Sequence, residues 1–562
     1  MIQCPNCGGG LKFDIQSQQL KCESCSGQFD PYSVNYGNGA EESMEYDVTI
    51  FKCPQCGGEI VSTDETAAAF CSYCGASNFL ESRISKEKKP QLIIPFKKTK
   101  KDCIDAYSGY MKRAIFAPNV YRSIGNAESF RGIYMPYWLY DMSQNGRVNF
   151  KTSSSHRRGD YIITDHYRIN INIDNYYNGV SYDASSSFAD DISNEIAPFN
   201  VKDITKFSPS FLAGFYGDIA DVTQNTYMDP AKELAREATY NYLMHKTPVG
   251  GAHVEDSKAD IKNRLITQIN VIRSAMFPVW FMSYRHKDRI AYATINGQTG
   301  RVSADLPVSV PKYFVLSAIL SVIFFAILQM FFTLTPDVLM VTISIIALIS
   351  VICYNSEMGQ IVAKENYEDD RGMKARMERK RQERLKAQKG ANFNQTANSG
   401  QGTYTVTDND KNKNKDKKKN NTLVLSFIIG ISLVALFFLL PEIMGIISNG
   451  IGSISIDKVC GFIAFIVLLV SIGLTTSSTK KIKSMKAPKR FSTTIFTCVA
   501  MGLVMIVSFW DPPQDIIYYA IAVISMICMV FNIIDMMASY NYIAMRPLPQ
   551  FEMYHGGDDG AK

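Results

Sequence analysis

The side chains best equipped for chemistry in this chain are its first eight cysteines. Thirteen cysteines occur among 562 residues, and eight form four Cys-x-x-Cys pairs near the N-terminus: Cys4/Cys7, Cys22/Cys25, Cys53/Cys56 and Cys71/Cys74. Fourteen residues separate the pairs within each set, and all four positions repeat at an offset of 49, with Gly8-Gly9 returning as Gly57-Gly58. A Cys-x-x-Cys turn presents two thiolates to one ion, and two such turns close a tetrahedral site with no position left for water. The spacing predicts two tandem Cys4 zinc ribbons, over 1–33 and 34–81, and two structural zinc ions. One is expected on Cys4, Cys7, Cys22 and Cys25, the other on Cys53, Cys56, Cys71 and Cys74. Redox dithiols are the competing reading, but paired cysteines in a reducing compartment are more often metal ligands. Cys103, Cys353, Cys460, Cys498 and Cys528 are scattered and read as apolar packing.

Charge limits what the ribbons touch. From Met1 to Leu80 there are three basic residues against ten acidic ones, and phosphate binding needs the opposite balance. Nucleic acid is therefore disfavoured and protein partners are expected. The following stretch, 82–101, carries eight basic residues and one acid, and reads as a solvated basic linker whose other use would be contact with RNA or anionic lipid.

Around these sites the chain must supply a scaffold. Residues 102–310 alternate between helical and strand periodicity and predict an α+β domain. Apolar residues from Cys103 to Ile115 recur at helical spacing until Pro118 stops them. Tyr161, Ile163, Tyr167, Ile169, Ile171 and Ile173 share one face of a period-two strand. Two segments, Met135–Tyr140 and Phe277–Met282, each carry Pro-x-Trp; they are weighed as equivalent strand starts of a duplicated sheet and read as core aromatics that share the pattern by chance. Nucleophile-elbow, Walker and dinucleotide-binding motifs are absent from the sequence, so an enzyme is not expected. His245 and His253, beside Glu255 and Asp256, are weighed as a second metal site and read as solvated loop residues.

Beyond Pro311 the chain turns apolar. Six runs, near 313–334, 338–354, 423–440, 459–475, 491–510 and 516–537, are long enough to cross or nearly cross a hydrocarbon core of about 30 Å. They predict a transmembrane hairpin over 311–354, a charged and disordered cytosolic loop over 355–421, a four-helix transmembrane region over 422–540 and a cytosolic tail over 541–562. The loop 355–421 holds sixteen Lys or Arg and 476–490 holds six, whereas the opposite connections have almost none. Retention of positive charge on the cytosolic side therefore places both termini in the cytosol and the protein in the cytoplasmic membrane as a multi-pass chain. Met1-Ile2-Gln3-Cys4 offers no signal peptide, so the N-terminus is expected to be mature as written.

Three further stretches carry a resemblance. They are Gly132-Ile-Tyr-Met-Pro-Tyr-Trp-Leu-Tyr-Asp141, Phe207-Ser-Pro-Ser-Phe-Leu-Ala-Gly-Phe-Tyr-Gly-Asp218, and Pro278-Val-Trp-Phe-Met-Ser-Tyr284 leading to Asn296-Gly-Gln-Thr-Gly300. With the duplicated Cys-Pro-x-Cys ribbons they make residues 1–334 resemble a family of bacterial membrane-anchored proteins with paired TFIIB-type zinc ribbons. The resemblance implies phage-shock-type or flotillin-like (SPFH) partners in membrane stress, and it carries over only the eight cysteines as functional residues. The long loop and the last four spans depart from the family pattern. The expected function is an integral membrane zinc-ribbon scaffold that recruits cytosolic proteins. The alternatives are a component of a transporter or channel and a membrane-tethered nucleic-acid binder.

Overall fold

Two long strands that share both faces of one sheet organise the soluble part. The computed structural model describes residues 2–34, 45–53, 59–62, 81–122, 130–246, 253–286, 289–331, 335–379, 381–383, 456–485 and 492–544. A small antiparallel sheet comes first: β1 (Leu11–Asp14), β2 (Gln19–Cys22) and β3 (Gln28–Phe29). Next come β4 (Glu45–Lys52), β5 (Glu59–Ser62), β6 (Glu81–Lys88), β7 (Leu92–Ile93) and the helix α1 (Lys100–Arg113). Thr99 and Asp102 close a capping box on α1, which fixes where the chain turns helical. After a short helix, α2 (Asn119–Arg122), come β8 (Phe130–Arg158) and β9 (Tyr161–Asp183).

The rest of the domain is α3 (Asp190–Ile196), β10 (Thr205–Lys206), β11 (Tyr216–Gly217), α4 (Met228–Lys246), β12 (His253–Val254), α5 (Lys258–Arg264), β13 (Thr267–His286), β14 (Arg289–Asn296) and β15 (Val302–Ala304). Strands β4 to β15 form one sheet with β13 and β8 antiparallel at its middle.

Side-chain alternation explains why both faces are covered. Tyr134 of β8 and Met276, Trp280 and Met282 of β13 pack with α1 and the N-terminal sheet. Met135, Tyr137 and Leu139 with Phe277, Val279 and Phe281 pack with α3 on the opposite face. The two Pro-x-Trp segments are therefore neighbours, with Met135 opposite Phe277 and Tyr134 opposite Pro278. They lie inside the central strands rather than at strand starts. Each is flanked by a short parallel strand, β11 beside β8 and β7 beside β13, which gives the middle of the sheet a local two-fold character.

Two expectations are corrected. The basic stretch 82–101 is not a hinge, because its first residues, up to Lys88, are strand β6, paired antiparallel with β4. The backbone register sets Glu45 opposite Lys88 and Lys52 opposite Glu81. Strands β4 to β6 thus extend the sheet below residue 102. The second correction concerns the loop after the second apolar run, which begins as helix and then docks on the sheet domain, as described below.

Four described helices are long and apolar enough to cross a membrane. They are α6 (Val310–Phe331), α7 (Pro336–Glu365), α8 (Ile456–Ser484) and, after the shorter apolar α9 (Thr494–Trp510), α10 (Asp515–Ala544). The expected span 423–440 lies outside the described residues. Helices α7 to α10 share a core that includes Met340, Ala464, Met501 and Ala522. Within α6, by contrast, none of the span Val310–Ile327 is buried.

Candidate metal centre

The first two Cys-x-x-Cys turns converge. The sulfurs of Cys4, Cys7, Cys22 and Cys25 all lie within 4.8 Å of one another, with Cys4 to Cys25 at 3.6 Å and Cys7 to Cys22 at 3.5 Å. The two turns have the same backbone. Cys4 N–H donates to Gly9 O and Gly8 N–H to Cys4 O; Cys22 N–H donates to Gly27 O and Ser26 N–H to Cys22 O. Gly8 and Ser26 both take positive φ, at 72° and 56°, so the second turn places a serine where the first has the residue that adopts this conformation freely. Cys4 and Cys22 are buried and Cys7 and Cys25 exposed. Backbone N–H groups aimed at Cys22, first that of Cys25 and then that of Ser24, pull its thiol down to about 6 against the cost of burial. Four thiols at these distances fit one tetrahedral ion, and among the described residues no other set of metal-capable side chains converges in this way.

The second set is seen in part. Cys53 is buried at the end of β4, whereas Cys56, Cys71 and Cys74 lie outside the described residues. The duplication is still visible in the pairing, because Gln3 bridges Gly10 in the first unit and Lys52 pairs with Glu59 at the same offset in the second. Of the weighed histidine site, His253 sits exposed on β12, while Glu255 receives the ring of His166 from β9 at 2.5 Å.

The unit that carries the four converging cysteines is fixed to the sheet domain. Phe13 packs edge-on against Phe211 with centroids 5.2 Å apart and lies near Phe215, and its N–H donates to Ala213 O. Tyr32 O–H donates to Lys206 O. The stretches quoted for the resemblance meet here: Phe215, Tyr134 and Trp280 surround Phe96. A Cβ on Gly132 would come within 2.6 Å of Phe215, and one on Gly297 within 2.6 Å of Phe96.

A second cluster was not anticipated from the sequence. Helix α7 ends in a left-handed Tyr367 (φ 55°), with Glu368 N–H donating to Ala363 O, and the chain then turns back onto the sheet domain. There Arg371 N–H donates to Asp190 Oδ2, Arg376 reaches Ser186 Oγ, and Arg379 reaches the carbonyl and carboxylate of Asp221. Asp370 caps the short helix over 371–379 by accepting from Met373 N–H at 2.7 Å. Met373, within the stretch expected from sequence to be a charged and disordered loop, is 2% exposed.

Where this strap meets the sheet domain, three carboxyls come together. Burial, then Asp190, pushes Asp370 up to about 7. Burial, then Asp190 and Asp370, holds Asp183 well above the usual range. Asp190 is also raised by burial, although it accepts from Tyr227 O–H at 2.7 Å. No local sequence signal marks this docking, because the partners lie about 180 residues earlier.

Comparison with known proteins places the chain as follows. No family model matches it and no solved structure matches it. It is similar to YdjG of Bacillus subtilis (strain 168), described as uncharacterized, with 28% identity over 313 residues that cover 55% of this chain and 90% of that relative.

Proposed function

We propose that the protein is an integral membrane scaffold in which a zinc-bearing ribbon and a sheet domain recruit cytosolic proteins to the bilayer. Zinc is the ion favoured by four thiolates in a closed site, and it would hold the ribbon's shape rather than act in a reaction. What supports the reading is the continuous attachment from thiol cluster to helix ends. Phe13 fixes the ribbon to the sheet, Lys364 at the end of α7 pairs with Asp305 and Asp191, and Asn541 of α10 brackets both the N–H and the C=O of Val308. A ribbon held in one place relative to the membrane presents a preorganised surface, which lowers the ordering cost of binding. By resemblance, the partners are of the phage-shock or SPFH type.

The test is crosslinked affinity purification of the full-length protein from its own membrane, beside a Cys7→Ser/Cys25→Ser variant. Discrete partners that are lost with the metal support the scaffold. A folded, metal-free variant that retains every partner rejects ribbon-mediated recruitment.

One observation favours the transporter alternative. Asn532 is fully buried among α7, α9 and α10, where its Nδ2 donates to Thr497 and Ser350, and Tyr354 donates to Asp535 one turn away. Polar and ionisable groups inside a helix bundle mark ion paths in many membrane proteins. Solute flux in reconstituted vesicles, lost in Asp535→Asn, would move the assignment to transport.

A further inference from the structure

We infer that the turn after α1, residues 114–119, is a second membrane contact of the sheet domain, which seats an anionic phospholipid between Ile115 and the start of α6. The inference rests on the membrane part of the proposed function and is independent of recruitment.

The turn is fastened to the helix at several points. Ser309 N–H donates to Phe116 O, the Phe116 ring lies 5.5 Å from that of Tyr313, and Lys312 Nζ donates to Ala117 O and Asn119 Oδ1 at 2.6 and 2.7 Å. Between turn and helix runs an apolar groove of about 370 Å³, lined by Ile115, Phe116, Pro311, Val315, Leu316 and Ile319, with Lys312 as its one charged wall. The helical wall from Pro311 to Ile319 takes up about 12 Å of helix axis, and it belongs to the span Val310–Ile327, none of which is buried.

Residues that touch a membrane-crossing helix inside its apolar span share its depth. Ile115 and Phe116 therefore stand at the boundary between headgroups and acyl chains, which explains why a soluble domain leaves Ile115 52% exposed beside Val315 at 61% and Ile319 at 52%. The groove is continuous with the lipid-facing side of α6, so an acyl chain is its natural occupant. The last turn of α1 adds exposed Lys112 and Arg113 immediately before the apolar turn. This apolar tip with a basic shoulder is the pattern that holds interfacial segments on anionic lipid.

The test uses full-length protein in vesicles of equal phosphatidylcholine and phosphatidylglycerol, with Ile115→benzoylphenylalanine for photocrosslinking. Val315→benzoylphenylalanine reports on α6 and Asp105→benzoylphenylalanine, exposed in the first half of α1, serves as the control. Lipid adducts are expected at 115 and 315 and not at 105. Phosphatidylglycerol should be favoured at 115 by about fivefold for each of Lys112 and Arg113, or about 25-fold together. Lys112→Gln/Arg113→Gln should remove that preference and leave the adducts. Adducts at 315 without adducts at 115 overturn this inference alone, and absence at both overturns the membrane reading itself. A lipid preference unchanged in the Lys112/Arg113 variant overturns the headgroup assignment.

Discussion

Asp370→Asn should strengthen docking of the strap at alkaline pH and flatten its pH response. Asp370 faces Asp190, Asp191 and Asp183, with Arg371 and Tyr227 beside them. Its carboxyl is raised from 3.8 to about 7, first by burial and then by Asp190. A raised pKa means that the docked state binds more protons than the undocked one between about pH 4 and 7, so docking is strongest below that window and weakens as pH rises through it.

Between pH 5.5 and 8 the Asp370 contribution alone changes by about 2 kcal/mol, or about 30-fold in the docking equilibrium. Asparagine keeps the Oδ1 that accepts from Met373 N–H, and it caps as well as aspartate, so the variant removes charge without removing the cap. The assay is hydrogen exchange over residues 367–379 of the full-length protein in nanodiscs at the two pH values, corrected for intrinsic exchange. The wild type should lose protection as pH rises, and the variant should lose about 30-fold less. Protection that increases with pH in the wild type, or a variant with the full wild-type response, refutes the reasoning.

Other outcomes follow from packing and ligation. Gly297→Ala forces a Cβ to within 2.6 Å of Phe96 and 2.9 Å of Pro278, which should cost about 1–3 kcal/mol of domain stability in denaturant titration. Phe13→Ala empties a site that is 5% exposed and should cost about 3–5 kcal/mol, read as earlier proteolysis within residues 2–34. Cys22→Ser removes one of four converging thiols and should lower bound metal by one equivalent in a chromophoric chelator assay. An unchanged metal content would place the ion elsewhere.

Local signals in the sequence survived into the structure because local physics decides them. The helical run from Cys103 that stops before Pro118 and the first two Cys-x-x-Cys turns each depend on a few neighbouring residues. Long-range pairings were not legible. Nothing in 82–101 reveals that its first residues will pair as a strand with β4. The strap's partners are likewise distant in sequence. The long strands were also obscured by bulges between Tyr140 and Met142 and between Ile269 and Val271, where the alternation changes phase. Pro136 and Pro278 suggested strand starts because proline usually sits there, yet both lie in the middle pair.

That middle pair also sets a timetable for synthesis. β8 and β9 are joined by two residues and can pair as soon as both exist, whereas Met135 must wait for Phe277, a loop whose closure costs several kcal/mol in chain entropy. Val310, the first residue of α6, follows His286, the last of β13, by 24 residues. At about 5–20 residues per second, that interval is about 1–5 s. The sheet therefore becomes able to close in the same few seconds in which α6, the first long apolar helix, is made, so the domain's slowest closure and the start of its apolar half share one moment in synthesis.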